Sequence, residues 1–488
     1  MNIVDQILFQ CRRQPPAAAM CVPGPGIGLI SYRRLEQFIH NFSRRLHALG
    51  LPERSIVAVS IEDVIFHTVA VLASIRLGII TVSIHDVGVS LPVKADLFIS
   101  DGQRPHPQMS RLIVADPSWI EGNGHPIEPH LLPETHEDDL CRLIMTSGTS
   151  SAPKAVALSH KLLANRIARH ATFGNRIINC SRIYSDLPIS SSLGFQFLIY
   201  ALSRGGMAFF PGPDFASTFR VIEDYKVQCL VGSPRGFETL LRWFDTIPAY
   251  QSSIEIVFCG GDVLSRSLSD RLRARICSHI VAAYGSTEAS MSAVAHAHEI
   301  ATAPRAVGFV TPGVVIEIVN GADGTVLPAG QEGNLRIRSE FAVDNYFGNP
   351  EESQKAFRDG WFFPGDTGIM RADGLLVITG REHAVLNLGG DKVKPEIIEL
   401  VLGQFPGVAE AAAITVPNAY GNNEVCAVIA SHQTLDEAAL RAHCRTLIPA
   451  AYVPAMFHFV EELPHNEMGK LDRRRLHQLV QQRMGKDA

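Results

Sequence analysis

The segment Thr146 to Lys154 reads TSGTSSAPK, with several hydroxyl side chains and a glycine ahead of a lysine. Hydroxyls and exposed backbone N–H groups can ring a polyphosphate, and a lysine adds a point charge. Gly-x-x-x-x-Gly-Lys cannot be laid on it, so it is not a Walker A loop. Taken alone it reads as well as a plain serine-rich loop. Further segments of matching chemistry follow in order. Ala283 to Glu288 reads AYGSTE. Here Thr287 could bond a phosphate, and Glu288 could offer Mg²⁺ one hard carboxylate, with phosphate oxygens and waters completing the shell. Trp361 to Thr367 reads WFFPGDT, where Asp366 could accept from ribose hydroxyls. Gly380 to Glu399 reads GREHAVLNLGGDKVKPEIIE, and Leu463 to Arg473 reads LPHNEMGKLDR, with Lys470 on a glycine-containing loop.

In this order and spacing the segments resemble the superfamily of acyl-CoA synthetases, adenylation domains and luciferases. Its phosphate loop is usually TSGTTGxPKG. Its YGxTE, its Gly-Asp, its GR…GG-x-K-type segment and its C-terminal Gly-Lys all have counterparts here. The run ISYRRLEQ from Ile30 resembles its Thr-Tyr-x-x-Leu helix start, so the resemblance extends from about Ile30 to Leu476. It implies ATP- and Mg²⁺-dependent activation of a small carboxylic acid to acyl-AMP with release of pyrophosphate. Acyl transfer to coenzyme A follows, as in an AMP-forming acid–thiol ligase. Residue by residue, Thr146, Ser147, Gly148, Thr149, Ser150 and Lys154 resemble the ATP phosphate loop. Gly260, Gly261 and Asp262, with Ala283, Tyr284 and Gly285, resemble the walls of the adenine and acyl site. Thr287 and Glu288 match the phosphate and magnesium positions, and Asp366 and Arg381 the pair that holds the ribose. Lys392 stands where a basic residue is often directed at phosphate. Gly389 and Gly390 resemble the loop that lines the pantetheine tunnel after domain rotation, His383 stands at the hinge, and Lys470 matches the adenylation lysine.

The departures bear on activity and on the acid. Ser150-Ser151 replaces Thr-Gly and Ala155 replaces Gly, and losing two glycines stiffens the loop. The hinge position usually holds Asp or Lys; as an alternative, His383 reads as a surface histidine with no special role. Where a His or aromatic usually approaches the acyl carboxylate, the chain reads PISSSLGF. Amino-acid-activating relatives usually place an Asp where Ser191 aligns. Its absence disfavours α-amino acids, since an unpaired buried ammonium is costly, although Asp262 could supply the charge. Phe195, Gly232 and Gly261 are expected to face the acyl group, leaving fatty, aryl and short acids open. Two other readings stay open: a stand-alone adenylation protein loading the phosphopantetheine of an acyl carrier protein, and a catalytically degenerate ATP-binding protein. The altered phosphate loop favours the last; Lys470, Glu288, Asp366 and Arg381 argue against it.

Such side chains need rigid supports. Tyr32 to Leu49 and Val64 to Leu77 carry helical patterns. Ser55–Ser60, Ile79–Ile84, Arg142–Met145, Gln228–Val231, Glu255–Phe258 and Ile280–Ala283 are short β-like runs, mostly one helix length apart. This rhythm predicts an α/β fold of stacked, mostly parallel sheets in a large N-terminal domain. Val314–Val319 and Asn334–Ile337, near the turn pairs Asn320-Gly321 and Asp323-Gly324, predict a β-rich, more antiparallel subdomain. The texture changes near Thr379-Gly380-Arg381. Beyond it come a hairpin, a helix from about Pro395 to Leu402, strands Ala411–Val416 and Val425–Ala430, a helix opened by Thr434, and strand Met456–Val460. Residues 1–380 thus read as an N-terminal ATP- and acid-binding domain, and 381–488 as a small α+β C-terminal domain, mobile by the resemblance.

Composition limits the alternatives. With 488 residues, 46% apolar and 19% charged, the chain reads as globular and multidomain. A net charge of −5 provides no basic field for nucleic acid, and Arg473-Arg474-Arg475 reads as a solvated helix face. Nine scattered cysteines without a Cys-x-x-Cys pair fit buried free thiols in a reducing cytoplasm. Apolar stretches are broken by Glu62, Asp63, His67 and Arg76, and by Pro188 and Ser190 to Ser192, so no membrane span is expected, and with no secretory signal a cytoplasmic protein is.

Overall fold

The short apolar runs pair as strands of two mostly parallel sheets. A computed structural model describes residues 2–24, 28–84, 91–102, 111–146, 153–170, 175–247, 252–382, 386–388, 391–417, 423–466 and 469–484. It divides into two units, Met1–Ile316 with Ile337–Phe362, and Glu317–Arg336 with Phe363–Ala488.

In the first unit, Leu112–Val114, Leu97–Ser100, Ile56–Ser60, Ile80–Ser83 and Leu140–Thr146 run parallel in that order. Lys154–Ser159 ends the sheet, antiparallel to Leu140–Thr146. A second sheet lines up Ala18–Cys21, Met207–Phe209, Arg182–Ser185, Cys229–Gly232, Ile256–Gly260 and Ile280–Ser286, all parallel. Ser290–His296 and Ala306–Val310 extend it antiparallel. The central strands read as near-continuous apolar runs because both of their faces are buried.

The helix Val64–Arg76 is buried on nearly every side, from Ile65 to Ile75. Asp63 starts it by accepting from the Phe66 amide, and His67 bonds Ile61 O and Ser83 Oγ, which is how the polar residues in this apolar stretch are accommodated. Among the described residues no helix is long and apolar enough to cross a membrane. The Leu187–Leu202 stretch becomes a turn and a helix, Ser192–Ser203, because Ser191 caps its first turn.

In the second unit, Glu332, Gly333 and Asn334 pair with Ile369, Gly368 and Thr367 of the strand Asp366–Met370, which pairs with Leu376–Arg381. Beyond them Glu410–Pro417, Asn423–Ala430 and Met456–Val460 form a three-stranded sheet. Its residues alternate between two apolar clusters: Ala413, Val425, Ala427 and Ile429 face one, Ala412, Ile414, Cys426 and Val428 the other. Helix Pro395–Gly403 precedes this sheet in sequence, Glu437–Leu447 lies between its second and third strands, and Arg473–Met484 follows it. The helix expected to open at Thr434 opens at Asp436, whose carboxylate accepts from the Ala438 amide, a stronger cap than threonine. Arg473 is not a free surface charge: it bonds Glu399 and the Ala413 carbonyl. All nine cysteines are free thiols, eight of them buried.

Candidate active site

Thr146 ends one strand of an antiparallel hairpin and Lys154 begins the other, and the two are cross-strand partners. Ser147, Gly148, Thr149 and Ser150 lie outside the described residues. The Lys154 ammonium sits 2.6 Å from a Glu352 carboxylate oxygen and 4.8 Å from the Tyr346 ring centroid. Hydrogen bonds from Lys154 and Lys355 hold the Glu352 carboxyl down at about 2. The lysine expected to meet phosphate is therefore paired with a carboxylate in this structure.

Ala283, Tyr284 and Gly285 lie on the strand Ile280–Ser286, and Thr287 and Glu288 on the turn that follows. A Cβ on Gly285 would fall 2.2 Å from the Ser290 carbonyl, so the hairpin closes only over glycine. Glu288 is 8% exposed, and its Oε1 accepts from the Tyr346 hydroxyl at 2.9 Å. Lys154 and Glu288, far apart in sequence, thus meet on one segment, Tyr346 to Glu352.

The acyl candidates are more dispersed. Ser191 is buried and its hydroxyl is engaged as a helix cap, accepting from Gly194 N at 3.0 Å and donating to Pro188 O at 2.7 Å. Phe195 is buried with its ring 4.0 Å from the Arg142 guanidinium, which also donates to the Ile189 carbonyl at 2.7 Å and so anchors this turn. Gly260 ends its strand, with Leu193 2.6 Å from where a Cβ would lie. Gly261 has φ +95°, and Asp262 is exposed, accepting from Val263 N. Gly232 ends the neighbouring strand, where an added Cβ would fall 2.8 Å from Asp186 Oδ1.

Asp186 was not foreseen. Burial pushes its carboxyl up to about 7, against backbone amides of Ser233 and Asp186 that favour the anion. Its folded value lies above the unfolded value of 3.8, so the folded state keeps a proton that the unfolded chain releases. Stability therefore falls as pH rises between those two values and levels off above them. Asp186→Asn should remove that fall. Urea midpoints at about pH 5 and about pH 8 check it: wild type should drop between them and the variant should drop much less. Equal slopes would exclude Asp186 as the cause.

In the second unit, Asp366 and Arg381 face each other across adjacent strands, with Arg381 Nε 2.8 Å from Asp366 Oδ1. The expected ribose pair is thus one ion pair, and Arg381 also donates to Pro364 O. Lys392 lies on the strand Asp391–Val393, which pairs with Leu386–Leu388. His383, Gly389 and Gly390 lie outside the described residues. Lys470 closes a turn in which its N–H donates to Asn466 Oδ1 at 3.0 Å and its carbonyl accepts from Asn466 N at 2.8 Å.

The sequence profile of the AMP-binding enzyme family matches residues 9–347, and that of the AMP-binding enzyme C-terminal domain matches residues 397–470. This chain belongs to the AMP-binding enzyme family. It is 27% identical to a 4-chlorobenzoate–CoA ligase of Arthrobacter sp over 98% of this chain and 95% of that protein. It is 31% identical to a sulfoacetate–CoA ligase of Cupriavidus necator over 71% and 68%. Its fold is similar to that of ATP-bound MatB from Rhodopseudomonas palustris, at TM-score 0.81 and 22% identity over 98% of each chain. It is also similar to o-succinylbenzoate CoA synthetase from Bacillus subtilis with ATP and magnesium ion, at TM-score 0.81 and 19% identity over 97% and 99%.

In this AMP-binding enzyme the motif reading missed Tyr346, Glu352, Asp186 and Arg166. Tyr346 and Glu352 belong to a Pro-containing segment with no phosphate-binding signature. Only its hydrogen bond and ion pair to the motif residues mark it.

Proposed function

We propose that this AMP-binding enzyme is an AMP-forming acid–thiol ligase that activates a carboxylic acid with ATP and passes the acyl group to coenzyme A. The observation that carries the reading is the meeting of Lys154 and Glu288 on Tyr346 and Glu352: a cation for phosphate and a hard carboxylate for a metal, side by side in one unit. The carboxylate chemistry of Glu288 fits Mg²⁺, and Thr287 adjoins it. Magnesium, when bound, neutralises phosphate charge and orients the leaving pyrophosphate.

Lys154 exchanges Glu352 for the polyphosphate, and Asp366 with Arg381 holds the ribose. The acid's carboxylate oxygen attacks the α-phosphorus, the bond to pyrophosphate breaks, and acyl-AMP remains. Lys470 offsets the repulsion between the two anions as they approach. In this reading residues 381–488 carry both Lys470 for adenylation and Gly389-Gly390 for the thiol step, with His383 as the hinge and Lys392 directed at phosphate. A thiolate sulfur attacks the carbonyl carbon and AMP leaves with the bonding pair. Ser191, Phe195, Gly232 and Gly261 border the acyl group in this reading.

A pyrophosphate-release screen over fatty, aryl, dicarboxylic and amino acids, with and without coenzyme A, tests the proposal. At least one acid should give release, and coenzyme A should convert its adenylate to thioester. Release without thioester would favour a carrier-borne phosphopantetheine as acceptor, and no release with any acid would sink the ligase reading. Glu288→Gln should raise the magnesium needed for half-maximal turnover by about tenfold, because one hard anionic ligand becomes neutral. An unchanged magnesium titration would remove Glu288 from the site.

A further inference from the structure

Arg166 lies on the helix His160–Arg169, which directly follows the strand begun by Lys154, and its side chain is fully buried. Its guanidinium donates to three backbone carbonyls at 2.9 Å each: Nε to Phe341, Nη1 to Thr287 and Nη2 to Glu288. Taking a full positive charge out of water is costly, and here the donors meet carbonyls rather than carboxylates. Fixing an ordinary turn does not require that expense. The three carbonyls belong to the turn that carries Thr287 and Glu288 and to the start of the segment that runs on to Tyr346 and Glu352.

Other contacts close the circuit. The Glu288 carbonyl also accepts from Val343 N, and the Ala155 carbonyl accepts from Phe347 N. Tyr346 holds the Glu288 carboxylate, and Glu352 holds Lys154. Strand, helix, turn and segment thus form one ring, in which Arg166 is the polar link from the helix to the turn. A planar fork of fixed donors can satisfy carbonyls on two segments at once; a lysine ammonium is a single point and cannot span them.

We propose that Arg166 is a positioning residue for adenylation: it holds the backbone of Thr287 and Glu288 so that their side chains face the phosphates together with Lys154. The proposal rests on the acid–thiol ligase reading. Arg166 touches neither substrate nor metal and acts through the turn. Acyl-AMP formation depends on that alignment, whereas thioester formation from finished acyl-AMP, after pyrophosphate has left, does not.

The test uses the full-length protein with Arg166→Lys, which keeps the charge, and Arg166→Met, which removes it. Calorimetric titration with ATP, in magnesium and in EDTA, is combined with thermal unfolding. Both half-reactions are then measured with an acid from the screen, thioester formation being started from synthetic acyl-AMP and coenzyme A. Arg166→Lys should unfold cooperatively and bind ATP in EDTA within about threefold of wild type, while the gain in affinity on adding magnesium shrinks by about tenfold or more. Its pyrophosphate release should fall by about 10², with thioester formation from supplied acyl-AMP within about threefold of wild type. A magnesium gain as in wild type, or equal losses in both half-reactions, would make Arg166 an ordinary buried residue and overturn the proposal, whatever happens to the folding of Arg166→Met. Failure of wild type itself to bind ATP or release pyrophosphate would instead overturn the ligase reading, and this proposal with it.

Discussion

Lys470→Ala should slow acyl-AMP formation by on the order of 10²–10³ while ATP still binds and the protein stays folded. The size of the effect follows from charge. A carboxylate attacking the α-phosphate brings two anions together, and an ammonium aimed at the developing charge acts mainly in the transition state. The specificity follows from the structure. The turn that carries Lys470 is held by backbone groups and the Asn466 side chain, and alanine keeps each of those bonds. Core packing there falls to Leu463, Leu471 and Leu476, not to the lysine. Rapid-quench measurement of acyl-AMP in a single turnover, alongside ATP titration and thermal melting, checks all three expectations. A wild-type rate would mean that the C-terminal Gly-Lys is not the adenylation lysine. A lost fold with a lost rate would assign it to structure.

Gly390→Trp should separate the two half-reactions. Thioester formation should fall by at least about 10², with acyl-AMP formation kept within about threefold, if Gly390 lines the pantetheine path as proposed, since an indole there would block the thiol and spare the nucleotide. The motive is the glycine pair, which suits close backbone approach by a ligand. The other use of such a pair is a hairpin turn, and its neighbours do pair antiparallel, Leu388 opposite Asp391. Measuring both half-reactions on the same preparation tells the two apart. Equal losses would assign Gly390 to the turn, and undiminished thioester formation would mean that the thiol enters by another route.

The strands were legible because their apolar runs are separated by helix lengths and bounded by turn residues: Val314–Val319 and Met456–Val460 fall where the pattern puts them. Helix starts were less so. Any of several polar residues could cap the Glu437–Leu447 helix, and the choice of Asp436 over Thr434 depends on which oxygen reaches a free amide. At the acyl candidates the sequence could offer residue types but not their employment. Ser191 has a hydroxyl suited to a substrate, and in the fold that hydroxyl serves the first turn of Ser192–Ser203.

By itself the sequence determined the family and the order of its chemical segments. The candidate phosphate, metal and ribose residues belong to short local motifs whose spacing is legible without knowledge of the fold, and Thr146, Lys154, Glu288, Asp366, Arg381 and Lys470 could all be named from it. Only the tertiary structure decided what holds them. Tyr346 on Glu288, Glu352 on Lys154, Arg166 under the Thr287–Glu288 turn and the buried Asp186 beside Gly232 are all contacts between segments far apart in the chain. A buried arginine or aspartate looks in sequence like any surface charge. Its partners and its desolvation exist only after the helices and strands have packed, and those two quantities set what such a group can do.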